Sequence, residues 1–401
     1  MIAATDSARS AGWLLPLIGL MGVTFTIVTA ELAVSGLLPT LAQDLNVNIP
    51  TAGQLITGYA LGVAIAGPVL SLLTGKVQRK TLLLAILAVF ILGNILCALA
   101  TNYWLLLGAR LMMSACHGLF FGVAIVVAGS LAPPGRQTSA VSMVIAGVTV
   151  AIIVGVPIGT AIGNAYGWRA TFWVTAAAGA LASLIVVWLI PADTGGAGVA
   201  ASSPEAELRA AVRPIVLLCY LNFFVPLIAF YAVLNYVVPL LIEDSHVPLE
   251  LTPWVLFGTG VASLIGTLIG GRLGDRNADV TLIGVTAITT VLLVILSQVT
   301  AIAWLTIALL CLIWLTMFPL PALLQSRMLR AAGDAPTLAS TLMNTASQLG
   351  IAGGAIFGGW IIASGGGYSQ IPLLGAVFTA LGLVGAVVLV VADRRSKAAS
   401  A

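Results

Sequence analysis

Twelve apolar runs, each close to the length of a bilayer-crossing helix, follow one another along a 401-residue chain. A helix needs about 20 apolar residues to traverse the hydrocarbon core. Breaks at charges and turn residues place the runs at roughly 13–38, 52–74, 81–100, 104–131, 138–163 and 170–190, then 214–241, 252–271, 280–299, 302–325, 337–363 and 370–392. They are numbered spans 1 to 12 here. What lies between them is too small to coat a soluble surface. Only 7% of residues are charged and 60% are hydrophobic, whereas an average globular domain is about 25% charged. This pattern predicts an all-α membrane protein of twelve transmembrane helices in two six-helix halves, and excludes a soluble enzyme or a nucleic-acid binder. The first run exceeds a signal-peptide core of about 7–15 residues and lacks a small-residue cleavage pattern, so it is read as a retained span.

Lysine and arginine stay on the cytoplasmic side of a membrane. With the N-terminus inside, the inner segments hold Arg9; Lys76, Arg79 and Lys80; Arg136; Arg209 and Arg213; Arg272 and Arg276; Arg327 and Arg330; and Arg394, Arg395 and Lys397, fourteen of the sixteen. Arg169 alone is expected outside, and Arg110 falls within span 4. The expectation is a multi-pass protein of the cell (inner) membrane with both termini cytoplasmic. One inner segment differs from the rest. After a small-residue stretch, Ser203 reads as an N-cap, Pro204 as the first helical residue, and Glu205 and Glu207 as first-turn acids ahead of Arg209 and Arg213. The predicted organisation is a half at 1–190, a linker with a short amphipathic helix at 191–213, and a half at 214–401.

The halves echo one another. "GKVQRK" (75–80) follows span 2 and "GGRLGDR" (270–276) follows span 8. Span 5 carries Gly147, Ala151, Gly155, Gly159 and Gly163, and span 11 carries Ala346, Gly350, Gly354 and Gly358. Small residues at i, i+4 let helix backbones approach closely in lipid, and repeated halves are the plan of secondary transporters. On these features nearly the whole chain resembles the major facilitator superfamily. The family's loop motif after span 2 is Gly-x-x-x-Asp-Arg-x-Gly-Arg-Arg/Lys. The second copy here keeps Gly271, Asp275 and Arg276, whereas the first has Ser71, Gly75 and Lys76 in place of the glycine, aspartate and arginine, and retains Arg79 and Lys80. Three stretches, "AELAVSGLLP" (30–39), "GARLMMSACHGLFFG" (108–122) and "GVPIGTAIGNAYGWRATF" (155–172), resemble bacterial arabinose/sugar-efflux and chloramphenicol-efflux permeases of the twelve-helix drug:proton antiporter branch. The third is a variant of the antiporter motif of span 5, with Val156 inserted between Gly155 and Pro157. The resemblance implies conformational roles for Gly155, Pro157, Gly159, Lys76, Arg79, Lys80, Asp275 and Arg276.

Glu31 is the one charge in span 1. An ionised group near the bilayer centre costs about 2.5–3.5 kcal/mol on insertion scales and usually marks an ion pathway. Glu31 lies seven residues before the end of its span and Arg110 six residues into span 4, each about 10 Å below the same membrane face. His117 follows Arg110 by two helical turns on the same face, with Ser114 between. Burial raises a carboxylate's pKa and a nearby arginine lowers it, so Glu31, Arg110 and His117 are the candidate proton-coupling groups. Plainer readings stand beside this one: Glu31 as a packing partner of Arg110, Arg110 as a donor to backbone carbonyls, and His117 as a core histidine. In the second half Asn222, Asn235 and Asn344 are the candidate substrate-cavity groups, with helix bridging as their plainer reading; Trp314, Met317 and Phe318 lie on span 10, where aromatics more often face lipid or core.

The expected function is export of small amphipathic molecules, drug-like compounds or sugars, in exchange for protons by alternating access. A sugar or nucleoside facilitator or proton symporter is the alternative, and a non-transport membrane sensor is the alternative from another class. Neither a phosphate-binding Gly-Lys-Ser/Thr loop nor metal-ligand spacing occurs, so no catalysis, cofactor or metal is expected. Cys97, Cys116, Cys219 and Cys311 all fall inside apolar runs and read as reduced core residues. The expected partners are a small-molecule substrate, the proton and membrane lipid, with no nucleic acid and a monomeric chain.

Overall fold

The computed structural model describes residues 13–74, 77–133, 136–191, 204–333 and 337–400. Arg9, Gly75, Lys76 and Ser203, singled out above, lie outside them. Every regular element among the described residues is a helix. Eleven helices are long and apolar enough to cross a membrane. One of them, Thr252–Val299, has 48 residues, about 72 Å at 1.5 Å per residue and more than twice the hydrocarbon thickness. It holds two crossings. The helix breaks at Asn277 (φ −156°, ψ 91°), whose side chain accepts the Val280 N–H at 3.1 Å and caps the helix that follows. Asn102 and Asn48 do the same at the starts of spans 4 and 2, accepting from Leu105 and Thr51. A side-chain oxygen at this position satisfies one of the amides that a helix start leaves bare. Twelve transmembrane helices result.

Matching irregularities mark the repeat. Span 1 (Leu14–Gly36) ends at Leu37 and continues as a short helix, Leu38–Asp44, with Pro39 in its first turn. Span 7 (Pro214–Asn235) ends at Tyr236 and continues as Val237–Glu243 with Pro239. Span 10 is divided at Phe318 by Pro319. Span 5 runs as Gln137–Val150, a π-helical turn at Ala151–Gly155, and Val156–Tyr166. A short helix at Pro204–Ala211 precedes span 7. Arg213, just after it, donates to the Ala331 carbonyl at 2.7 Å, where the negative end of the Pro319–Ala332 helix favours a cation.

By contact the chain forms two compact units. One takes the residues up to Leu45 and those from Gly62 into the linker; the other takes Asn46–Leu61 and everything beyond the linker. Within the first, the glycine ladder of span 5 lies on span 1. A Cβ on Gly147 would strike the Met21 carbonyl and Thr24, one on Gly155 would strike Thr29, one on Gly163 would strike Leu37, and one on Gly159 would sit 3.0 Å from the Ala33 Cβ. Within the second, Gly350, Gly354 and Gly358 of span 11 lie on Leu227, Tyr231–Ala232 and Tyr236 of span 7. Spans 2 and 4 meet at Gly62 on Ser114 and Gly67 on Gly118, and spans 8 and 10 at Gly266, Gly270 and Gly274 on Leu315, Pro319 and Leu323. Tyr236 is fully buried, donates to the Ala355 carbonyl at 2.9 Å, and leaves no room for a side chain on Gly53.

These contacts predict opposite outcomes for one substitution at two glycines of span 4. A Cβ on Gly118 would lie 2.7 Å from backbone atoms of Val63 and Gly67, whereas one on Gly108 meets nothing within 4 Å. Gly118→Ala should lower the unfolding midpoint of the purified protein, at an overpacking cost of about 1–3 kcal/mol. Gly108→Ala should leave it unchanged or raise it, since alanine is the better helix former by about 1 kcal/mol. Equal midpoints for the two variants would contradict this packing.

Candidate functional site

Span 4 (Tyr103–Leu131) turns Arg110, Ser114 and His117 onto one buried face, with relative exposures of 0%, 0% and 2%. The spacing i, i+4, i+7 puts them on one stripe. Ser114 returns its hydroxyl to the Leu111 carbonyl at 2.7 Å, so Arg110 and His117 are the groups that reach across. The Arg110 guanidinium donates to the main-chain carbonyls of Ala30 at 3.3 Å and Glu31 at 3.4 Å. An α-helix's own ladder leaves each carbonyl oxygen a second lone pair, and here two successive ones are aimed at a cation. The arginine is thereby tied to the backbone that carries the acid.

The Glu31 carboxylate meets the imidazole. Glu31 Oε2 lies 3.6 Å from His117 Nδ1, with Glu31 at 6% exposure. That separation is long for a hydrogen bond and within range of a charge pair. His117 also faces the Phe121 ring, centroid to centroid 5.4 Å. Spans 1 and 4 of one unit therefore bring the three expected groups together, although Arg110 and His117 approach different parts of Glu31. A carboxylate and an imidazole in contact offer a proton two sites, and a fixed guanidinium beside them sets the electrostatic balance between occupied and empty states.

The three asparagines do not converge. Asn222 is buried, donates to the Leu218 carbonyl at 2.9 Å, and faces Gly385 of span 12, whose Cβ would lie 2.9 Å from its side chain. Asn235 is buried at the end of the same helix, about 20 Å along the axis, and Asn344 is exposed. Trp314 and Phe318 close on Phe230 with centroids at 4.8 and 5.6 Å, an aromatic cluster of spans 7 and 10. Of the motif residues, Gly155, Pro157 and Gly159 are buried, Arg79 opens span 3, and Lys80 donates to the Val187 carbonyl near the end of span 6 at 2.7 Å. Asp275 and Arg276 are exposed.

The engaged acid near that second loop is Asp279, which the motif reading passed over. Asp279 pairs with Arg327 and accepts from Arg394 at 3.1 Å, while Asp393 stands 3.9 Å from the other Arg327 nitrogen. Arg327 is 5% exposed, so it is a buried centre of a four-charge cluster joining spans 9, 10 and 12, although its sequence context reads as a loop residue. In the first unit Arg169, the expected outer exception, pairs with Asp44, donates to the Ala100 carbonyl at 2.9 Å and lies over the Trp168 ring. The guanidinium of Arg169, then the Trp168 indole N–H, holds the Asp44 carboxyl below its ordinary value. In the second unit Asp244 and Tyr368 stand two hundred positions after Asp44 and Trp168. There burial, reinforced by Glu243 and Asp244, raises the pKa of the Tyr368 hydroxyl.

Twelve helices in two repeated units, with ionisable groups buried within a span pair, define a membrane carrier of the secondary-transporter class. The Major Facilitator Superfamily profile matches residues 20–355, and the chain belongs to that superfamily. It is 36% identical over 375 residues to the inner membrane transport protein YdhP of Escherichia coli K12, covering 92% of this chain and 94% of that one. It is 30% identical over 362 residues to a probable sugar efflux transporter of Helicobacter pylori, with 90% of each chain covered. A bacterial homologue of the human lysosomal transporter Spinster, solved in an inward-facing and unoccupied conformation, has the same fold, with a TM-score of 0.75, 14% identity, and 95% and 96% of the two chains covered.

The charge cluster makes its own prediction. Removing one partner of a fully buried pair costs about 3–5 kcal/mol, because the other charge is left uncompensated; here the carboxylates are part-exposed, so the cost is smaller. Arg327→Met should lower the unfolding midpoint markedly, and adding Asp279→Asn to it should cost little more. Losses that simply add in the double variant would show that the two side chains are not coupled.

Proposed function

We propose that the protein is a proton-coupled exporter of small amphipathic molecules, drug-like compounds or sugars, working by alternating access. Glu31 carries the coupling proton, His117 is its exchange partner, and Arg110 fixes the acid's backbone and biases its charge. The observation that carries the reading is the 3.6 Å approach of Glu31 to His117 inside span 4's buried face, since intramembrane ionisable groups in contact mark proton relays. Support for export comes from the name of the Helicobacter pylori relative, a probable sugar efflux transporter. The inner-membrane location follows the Escherichia coli relative, and cytoplasmic termini follow the distribution of lysine and arginine.

The cycle needs the acid to change charge. Protonated, Glu31 is a neutral group that tolerates closure against apolar surface. Ionised, it requires His117, Arg110 or water close by. Substrate and proton then compete through one titrating centre, and entry of the proton down its gradient resets the carrier.

Export into inverted membrane vesicles under an imposed pH gradient tests the proposal, screened over amphenicols, sugars and lipophilic cations. Glu31→Gln, which mimics the protonated acid, should abolish gradient-driven accumulation. Binding to the purified variant should survive and lose most of its pH dependence between about 5 and 8. Gradient-driven transport by Glu31→Gln equal to that of the wild type would remove this carboxylate from the mechanism. Equilibration of substrate with no response to the gradient in the wild-type protein would instead identify a facilitator. A reporter active only in the cytoplasm should work after Lys80 and at the C-terminus, and fail after Asn46 or Ser245; one reversal would overturn the orientation.

A further inference from the structure

Span 5 winds one residue more into the turn before Val156 than an α-helix does. Val156 stands between Gly155 and Pro157, and directly before it Ala151–Gly155 winds as a π-turn, with the Val156 N–H reaching the Ala151 carbonyl five residues back. Such a turn takes up a single additional residue without advancing the helix face. An i, i+4 series on a regular α-helix drifts by about 40° per step, so the four steps from Gly147 to Gly163 would carry the ladder about 160° round the axis. The π-turn sets the phase back by about 100°, one residue's rotation, and leaves about 60°. Gly147, Gly155, Gly159 and Gly163 accordingly all meet span 1, from Met21 to Leu37. Span 11 makes its contacts at Gly350, Gly354 and Gly358 on a helix that is α throughout.

The corrected register falls around the acid. Gly155 packs on Thr29 and Gly159 on Ala33, two residues before and two after Glu31. The same turn of span 1 gives the Ala30 and Glu31 carbonyls to Arg110. We propose that Val156 is a positioning residue for Glu31: by its count in the chain, not by its side chain, it holds the span 5 face against the turn that aims the carboxylate at His117. The inference rests on the proton-carrying reading of Glu31. Without the extra residue the segment returns to α register, Val156–Tyr166 rotates by about 100° against Gln137–Val150, and Gly159 and Gly163 leave span 1.

The test compares three variants: deletion of Val156, the same deletion with an alanine inserted between Ile152 and Ile153, and Val156→Ala. Two readouts are taken. The first is a disulfide between Leu37→Cys and Gly163→Cys in an otherwise cysteine-free chain. The second is the pH profile of gradient-driven export. The disulfide should form in the wild-type register and in both count-preserving variants, and be lost on deletion. The export profile should keep its midpoint in the count-preserving variants and shift on deletion. Gly159→Ala, which brings a methyl to 3.0 Å from the Ala33 Cβ, should shift the profile as well and serves if the deletion variant does not fold. A disulfide that forms equally well after deletion overturns the register. A lost disulfide with an unmoved profile, or a profile moved as far by Val156→Ala as by deletion, overturns the positioning role. If Glu31→Gln keeps the wild-type profile, the proton reading has failed instead, and the disulfide alone decides the register.

Discussion

A helix in hydrocarbon gains nothing by hiding leucine from lipid, so the two bundles hold together where glycine lets backbones touch. Everything else in the structure is arranged around those contacts. Span 5 on span 1, span 11 on span 7, span 2 on span 4 and span 8 on span 10 all meet through glycines whose Cβ positions are already occupied by the partner helix. Large apolar side chains such as Trp188, Trp304 and Val384 are left facing outward, which costs nothing in a bilayer. The same solvent favours polar groups that find a partner within the protein. The intrahelical bonds of Thr24, Thr26 and Thr160 to the carbonyls four residues back answer that demand.

Within this frame the first unit can keep three ionisable groups at membrane depth. Close approach brings span 4 near enough to span 1 for a guanidinium to reach main-chain carbonyls and an imidazole to reach a carboxylate. Arg110 is fixed by two acceptors on successive residues, which makes it a poor candidate for movement. In the proposed mechanism Glu31 and His117 are the pair that exchanges the proton. Charges elsewhere serve the ends of helices: Lys80 and Arg213 donate to terminal carbonyls, where a cation opposes the helix dipole.

Much of this was legible in the residues. Twelve runs of the right length and the two glycine ladders gave the fold, because length and side-chain volume are properties a sequence displays. The shared depth of Glu31 and Arg110 and the common face of Arg110 and His117 followed from helical spacing; that spans 1 and 4 are neighbours did not. Two features were hidden. Asp279 and Arg327 sit in two segments that read as loops between spans, and only the meeting of spans 9, 10 and 12 shows the buried arginine paired with the part-buried acid. The asparagines of spans 7 and 11 were plausible by polarity, yet Asn222 serves packing against Gly385, which no single-helix pattern reveals. Val156 lies between these cases: its place between Gly155 and Pro157 stands out against the family motif, and the π-turn before it does not show in the sequence.

The central claim is that Glu31 gives up or accepts a proton as substrate comes and goes. The most direct measurement is proton release from purified, weakly buffered protein on addition of a transported compound, followed with a pH-sensitive dye. The account predicts release in the wild-type protein at a pH where Glu31 is protonated, diminishing as the pH rises, and none in Glu31→Gln at equal binding. Binding without release, or release undiminished in Glu31→Gln, would contradict it.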